Sequence, residues 1–250
     1  MNARKVIANC YRPFIKEAGL PAEFQTFSFP GWRMPVMSPV FLLRKNFRLQ
    51  SLDKLERFHW KKRSQPMDSN FAYFSLLGEE KEHRAVIEKA ARHGWRLDTR
   101  INYSCLYYKV RGLDLPENFE MRVGESGSKS MMNDSTLIRE KVFKMNSKTS
   151  YEVLKSLKQL KGLSVTIYSS TGKLAASGSV FSKGEYAYLF AGGVMPRYRK
   201  KGLWKCLLAA RQAITVGQGV KYWLYTSGNP FIHQKGDVVF KNLTLKKDPE

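Results

Sequence analysis

The residues best able to do chemistry in this chain lie in one run, Val194-Met-Pro-Arg-Tyr-Arg-Lys-Lys-Gly-Leu-Trp204. The apolar stretch Tyr188-Leu-Phe-Ala-Gly-Gly-Val194 before it reads as a buried strand that Pro196 ends. Arg197 to Lys201 form a basic loop, and Gly202 opens a helix predicted to run to about Val216. A strand feeding a basic, glycine-containing turn into a helix N-terminus is an anion trap. Free backbone N–H groups point outward there, the helix dipole adds positive potential, and a glycine lets the backbone approach a ligand. The expected ligand is a phosphate or pyrophosphate. The alternative is an ordinary strand–turn–helix with solvated lysines.

The order Arg199-Lys200-Lys201-Gly202-Leu203, followed by a Leu- and Ala-rich helix, resembles the acyl-CoA-binding segment of the GNAT superfamily of N-acetyltransferases. That family's segment reads Arg/Gln-x-x-Gly-x-Gly/Ala, and Trp204 stands where the second small residue usually sits. The resemblance implies an α+β (mixed α/β) fold, a central mixed, mostly antiparallel sheet flanked by helices. It also implies acetyl-CoA as co-substrate and no metal. The cofactor-binding residues it implies are Val194, Met195, Arg199, Lys200, Lys201, Gly202, Leu203 and Trp204, with Asn229 near the pantetheine. The reaction it implies is direct attack of a primary amine on the thioester. The protein must hold the acyl carbonyl, deprotonate the amine and reprotonate the leaving thiolate.

The proton-handling residues follow the family only in part. A tyrosine often stands four residues before the closing glycine, here Gly236, and that position is Ile232. Asp237 replaces the aromatic residue that usually follows. The substitute candidates are Tyr225, which ends the preceding strand, His233, and Tyr188, which stands where some members carry a glutamate base. Tyr225 is otherwise core, and His233 is otherwise a surface histidine, since a helical neighbour of Ile232 points about 100° away. Glu185 precedes Tyr188 by three residues and faces the other side of an ideal strand.

The elements that must position these residues are legible around them. Asn118–Val123 alternates like a first strand, and Asn133-Asp134-Ser135 is expected to cap a helix to about Lys144. Thr149-Ser150 would cap a second helix, Tyr151 to Leu160. Ser164–Tyr168, Leu174–Phe181 and Tyr186–Val194 read as three strands joined by turns at 169–172 and 182–184. Val220–Tyr225 and Val238–Leu245 read as the last two. This element order is the one the resemblance implies for residues 117–250, with a joint at Leu115-Pro116-Glu117.

Residues 1–116 carry a helix from Ser51 to about Lys62, a strand Phe71–Leu77, a charged helix Glu79–Arg92 stopped by Gly94, and a strand Ile101–Val110. Strand, helix, His93-Gly94-Trp95, strand is similar to the closing part of a GNAT domain without its anion-binding segment. The half resembles the degenerate N-terminal domain of tandem GNAT proteins; an unrelated α/β cap is the alternative.

The net charge of +22 over 250 residues points to a polyanionic partner, nucleic acid among them. The excess is shared: 22 basic and 10 acidic residues in 117–250, and 21 and 11 in 1–116. Trp60 beside Lys61, Lys62 and Arg63 could stack on a base, or the cluster is a solvated face. Cys10, Cys105 and Cys206 form no Cys-x-x-Cys pair, so neither a zinc site nor a disulfide framework is indicated and a reducing cytoplasm fits. Arg12 and Lys16 break any secretory signal, and Pro30, Pro35, Pro39 and Arg33 break the apolar stretch Phe27–Leu43 as a membrane span. The function expected is an acetyl-CoA-dependent N-acetyltransferase with its acceptor unassigned. The rivals are a catalytically inactive GNAT-fold binding module and an acyltransferase acting on a nucleic-acid-associated substrate.

Overall fold

The computed structural model describes residues 3–11, 40–41, 72–99, 102–147, 150, 161–229 and 235–247. The expected helices 51–62 and 151–160, and Ile232 and His233, lie outside them. Contacts divide the chain into two compact units that do not follow chain order. The first takes Met1–Ala8, Phe14–Leu106 and Thr226–Glu250; the second takes Asn9–Pro13 and Tyr107–Tyr225. The expected joint at Leu115–Glu117 therefore lies inside the second unit, and residues 226–250 group with the N-terminal segments. The helix Ala3–Tyr11 is α1.

The first unit is built on β1 (Val40–Phe41), β2 (Ala72–Leu77), β3 (Arg96–Leu97), β4 (Asn102–Tyr107) and β10 (Val238–Lys247). The long β10 pairs antiparallel with β2, β3 and β4, and β1 lies parallel to β2. Helix α2 (Glu80–Ala91) ends as its sequence demands. Gly94 adopts φ +78, and the N–H groups of Gly94 and Trp95 return to Ala91 and Ala90. That is a Schellman closure, and it needs a residue tolerant of the left-handed region.

The second unit has the sheet order β9-β8-β7-β6-β5. Its strands are β5 (Phe119–Glu125), β6 (Leu163–Ser169), β7 (Leu174–Lys183), β8 (Tyr186–Val194) and β9 (Tyr222–Ser227). β5 to β8 are antiparallel in sequence, and β9 joins β8 in parallel. The β7–β8 connection is the two residues Gly184-Glu185, with Gly184 at φ +57, a turn whose twist suits a tight hairpin.

Helices α3 (Lys129–Phe143) and α4 (Leu203–Val216) contact this sheet. Val165, Ile167 and Ala176 pack with Leu203, Leu207 and Ala210 of α4. Tyr168 and Leu174 pack with Ile138 of α3. Alternation along β6 thus sends Val165 and Ile167 to the α4 side, and Ser164, Thr166 and Tyr168 to the α3 side.

The α3 side is unusually polar. Ser164 Oγ donates to Ser126 at 2.9 Å and lies 2.8 Å from Ser179. Thr166 bonds Met131 and Ser177, and Ser177 reaches Ser135. Helix α3 begins four residues before the expected cap, with Ser128 at the cap position. Asn133, Asp134 and Ser135 lie inside it. The side chains of Asp134 and Ser135 turn to tertiary partners, Tyr168 and Ser177, instead of to their own backbone.

A strap, Lys109–Asp114, is tied to α4. Gln212 accepts from the Arg111 N–H at 3.0 Å and donates to Lys109 O at 3.1 Å, and Cys206 donates to Asp114 O. These bonds explain why residues from Tyr107 onward belong to the second unit.

Candidate acyl-CoA site

The basic loop folds as its composition requires. Pro196–Tyr198 form a single 3-10 turn, closed by Tyr198 N–H to Met195 O at 2.9 Å. Lys200 takes φ +63, and Gly202 caps α4 at φ +75. A Cβ on Gly202 would meet nothing within 4 Å, so it is the backbone angle, not crowding, that calls for glycine. No side chain caps the helix, and Lys205 and Cys206 are the N–H groups that return to Gly202 O. The first-turn amides are left for an external acceptor. Arg197, Arg199, Lys200, Lys201 and Lys205 all fall between the 3-10 turn and the first turn of α4, and all are exposed. Arg199 Nε reaches back to Val194 O at 3.5 Å, while Lys201 lies 6.0 Å from the Phe119 ring. Of the residues expected here, Leu203 and Met195 are buried, so their contribution is backbone and shape.

The strand that feeds the loop is bulged. Ser177 pairs with Gly193 and Ser179 with Phe190, so Gly178 of β7 stands against both Ala191 and Gly192 of β8. Ala191 adopts φ +48. Both faces of the bulge are packed tightly. A Cβ on Gly193 would lie 2.7 Å from Ile138 of α3, and one on Gly192 would lie 2.9 Å from the guanidinium of Arg211 on α4. The β8–β9 pairing runs from Tyr186–Tyr222 to Leu189–Tyr225 and ends there, so β8 parts from β9 just before the bulge. The Gly192 carbonyl accepts from the Tyr225 hydroxyl at 3.0 Å.

The proton-handling candidates are placed as follows. Paired residues share a face, so Tyr188 with Leu224 and Tyr225 with Leu189 lie on opposite faces of the sheet. Tyr225 lies on the α4 side, edge-on to Trp204 at 6.0 Å, with Arg211 5.9 Å from its ring centroid. Tyr188 is buried, 6.4 Å from Phe190. Glu185 lies in the turn before β8 and forms an exposed ion pair with Lys221. Asn229 is exposed beyond β9, its N–H on Ser227 Oγ at 3.0 Å, and it belongs to the first unit.

Several residues around the bulge escape sequence reasoning. Two buried guanidiniums flank it. Arg139 of α3 sits 5.3 Å from the Phe190 ring centroid on one face, and Arg211 lies against Gly178 and Gly192 on the other. Burial lowers both to about 10. The signal for the bulge was present, a Gly-Gly pair inside an apolar strand. Nothing in the sequence marks Arg211 beyond a charge at an inner position of an apolar helix. Among the described residues no group of three His, Cys, Asp or Glu side chains could hold a metal, and no helix is long and apolar enough to cross a membrane.

No family model and no curated protein matches this sequence. Solved structures do match. A GCN5-related N-acetyltransferase from Sphaerobacter thermophilus superposes with a TM-score of 0.61 at 13% identity, over 84% of this chain and 73% of that one. A tandem GNAT protein from the clavulanic acid biosynthesis pathway gives 0.60 at 11% identity, over 100% and 97%. A GCN5-related N-acetyltransferase from Kribbella flavida gives 0.56 at 14%, over 85% and 82%.

The fold is GNAT-like.

At these identities the likeness speaks for architecture and leaves activity to the site's own chemistry. Within the GNAT-like fold, the bulged strand, the glycine-capped helix and the basic turn between them are contiguous in the chain, from Phe190 to Lys205.

Proposed function

We propose that this chain is an acetyl-CoA-dependent N-acetyltransferase acting on a primary amine. The observation that carries the reading is the α4 N-terminus. It is capped by a left-handed glycine with no capping side chain, five exposed cations lie within five residues of that glycine in the chain, and it follows a strand that parts from its neighbour. Arg199, Lys200 and Lys201, with the first amides of α4 from Gly202 to Trp204, would hold the pyrophosphate. The β8 backbone around Val194 and Met195, past the point where β9 leaves it, would hold the pantetheine and the acyl carbonyl. Acetyl-CoA supplies the activated acyl group when bound. The acceptor nitrogen forms its bond to the acyl carbon as the carbon–sulfur bond breaks, and a proton must reach the thiolate.

Tyr225 is the residue we assign to that proton. Its hydroxyl lies against Gly192 O, at the edge of the parted strands. Tyr188, on the opposite face, and His233 are the remaining candidates for handling the amine proton. The three cysteines are free thiols, which suits a reducing cytoplasm. The degenerate GNAT-like reading of residues 1–116, with an acyl-CoA domain in 117–250, completes the tandem proposal.

The test is a titration with acetyl-CoA followed by an amine panel scored for free CoA. Acetyl-CoA is expected to raise the melting temperature by mass action. Tyr225→Phe is expected to keep that rise and to lose roughly 10²-fold or more in turnover, the usual worth of a general acid. An unchanged melting temperature at millimolar acetyl-CoA would sink the reading. A second reading, a binding module without catalysis, is favoured by Ile232 in place of the usual tyrosine. Stabilisation by acetyl-CoA with no CoA release on any amine would select it.

A further inference from the structure

Arg211 is completely buried on the inner side of α4. Its Nε donates to Leu207 O at 3.0 Å, one turn back on its own helix, and Nη1 donates to Ser179 O on β7 at 3.4 Å. Nη2 is enclosed and has no acceptor among the described residues. Among the described residues, the ionisable groups acting on the guanidinium are the hydroxyls of Tyr225 and Tyr107, and no carboxylate is among them. The side chain stays charged at neutral pH, its pKa lowered by burial only to about 10. A buried cation without a counter-charge is costly, and a hydrophobic side chain of similar volume would pack the site more stably. The charge is therefore poor evidence of a stabilising role and points to another one.

What it touches is the bulge. Cβ atoms built on Gly178 and Gly192 would lie 3.1 and 2.9 Å from its terminal nitrogens. The guanidinium thus lies directly on the glycine backbone where β8 leaves β9. It also lies 5.9 Å from the ring centroid of Tyr225, whose hydroxyl donates to Gly192 O. One fixed cation thus packs against the bulge and against the tyrosine that bonds it, both on the α4 side.

We propose that Arg211 is a positioning residue for acyl transfer, acting through the Ala191–Gly193 bulge of β8 to hold and polarise the backbone that runs from the bulge into Val194 and would grip the thioester carbonyl. The proposal rests on the acyl-CoA reading above. It makes Arg211 dispensable for binding, since the phosphate loop is elsewhere on α4, and necessary for activating the carbonyl. A fixed positive charge behind the bulge strengthens the N–H donors of the β8 backbone that follows it towards a carbonyl oxygen that gains negative charge.

The experiment uses acetyl-CoA labelled with carbon-13 at the thioester carbonyl and reads its infrared band when bound to the full chain. Affinity is measured alongside. In the wild type the band is expected to move to lower wavenumber than that of free acetyl-CoA. In Arg211→Met it is expected to return towards the free position with affinity unchanged, and Arg211→Lys, which keeps the charge, is expected to retain part of the shift. A scaffold role alone would change melting temperature and affinity without this graded spectral response. Should Arg211→Met fail to fold, Arg211→Lys and Arg211→Gln, which removes the charge and keeps hydrogen bonding, carry the same comparison. A wild-type band at the free position, or an Arg211→Met band at the wild-type position, overturns the proposal and leaves the acyl-CoA reading standing. Failure of the wild type to bind acetyl-CoA overturns both.

Discussion

Gly202 and Tyr168 show how single residues divide the work between backbone and charge. Gly202 sits at φ +75 in open space. Gly202→Ala therefore tests strain alone and is expected to cost about 1 kcal/mol of stability. Gly202→Glu adds a carboxylate at the helix N-terminus, against the proposed pyrophosphate position. It is expected to abolish stabilisation by acetyl-CoA, whereas Gly202→Ala keeps most of it; thermal shifts of the two variants separate the effects.

Tyr168 is held protonated. Its pKa is raised to about 12, by burial first and then by Asp134, which accepts from its hydroxyl, with Arg122, 4.7 Å from its ring centroid, opposing. The folded value is above the unfolded value of 10.0, so this contribution is fully present below pH 10 and is lost as pH rises from 10 to about 12. Tyr168→Phe removes the ionisable group. Its denaturation midpoint is expected to fall less steeply across that window than the wild type's, as alkaline unfolding curves will show.

At the scale of elements, the contact of α3 with β8 is the tightest around the bulge. A Cβ on Gly193 would stand 2.7 Å from Ile138 Cγ2 and 3.3 Å from Val142. Gly193→Ala is expected to destabilise by about 1–3 kcal/mol, the ordinary cost of overpacking. Ile138→Val shortens the opposing side chain and is expected to recover part of that loss, giving a favourable coupling in a double-mutant cycle by denaturant unfolding. The same interface carries hydroxyls where a helix–sheet core is usually hydrocarbon. Ser164 bridges Ser126 and Ser179 at 2.9 and 2.8 Å, so its polar neighbours depend on it. The Gly-Ser turn before α3 and the small residues of β7 make this legible only in retrospect. A serine in a strand pattern reads as an outward position until the facing helix is known to present hydroxyls as well.

Charge belongs to the whole molecule. The excess of +22 is far more than one CoA can use. If it serves a polyanion, binding to single-stranded RNA or DNA is expected to be tight at low salt and to weaken steeply as salt rises, through counterion release. Replacing Lys61, Lys62 and Arg63 together is expected to flatten that salt slope and to leave acetyl-CoA stabilisation intact. Filter binding across a salt series decides it. Retention no stronger than that of an equally basic unrelated protein, unchanged in the triple variant, assigns the charge to a solvated surface.

The sequence by itself determined the local parts. Strand β8 and helix α4 occur where apolar periodicity and Gly202 put them, α2 stops at Gly94, and the basic loop is legible from Pro196 to Gly202, because proline, glycine and apolar spacing act on the backbone within a few residues. The start of α3 was misread because Asp134 and Ser135 have capping chemistry but spend it on β6 and β7, partners at least 34 residues away. Only the tertiary structure decided that residues 226–250 group with the N-terminal segments, since strand pairing is set by backbone hydrogen bonds that any sequence can offer. It alone placed Tyr188 and Tyr225 on opposite faces, because a face is fixed by register with a neighbouring strand. And it alone set Arg211 beneath the bulge: a buried charge is visible in a sequence only as a charge, and what surrounds it is decided by elements that meet in space.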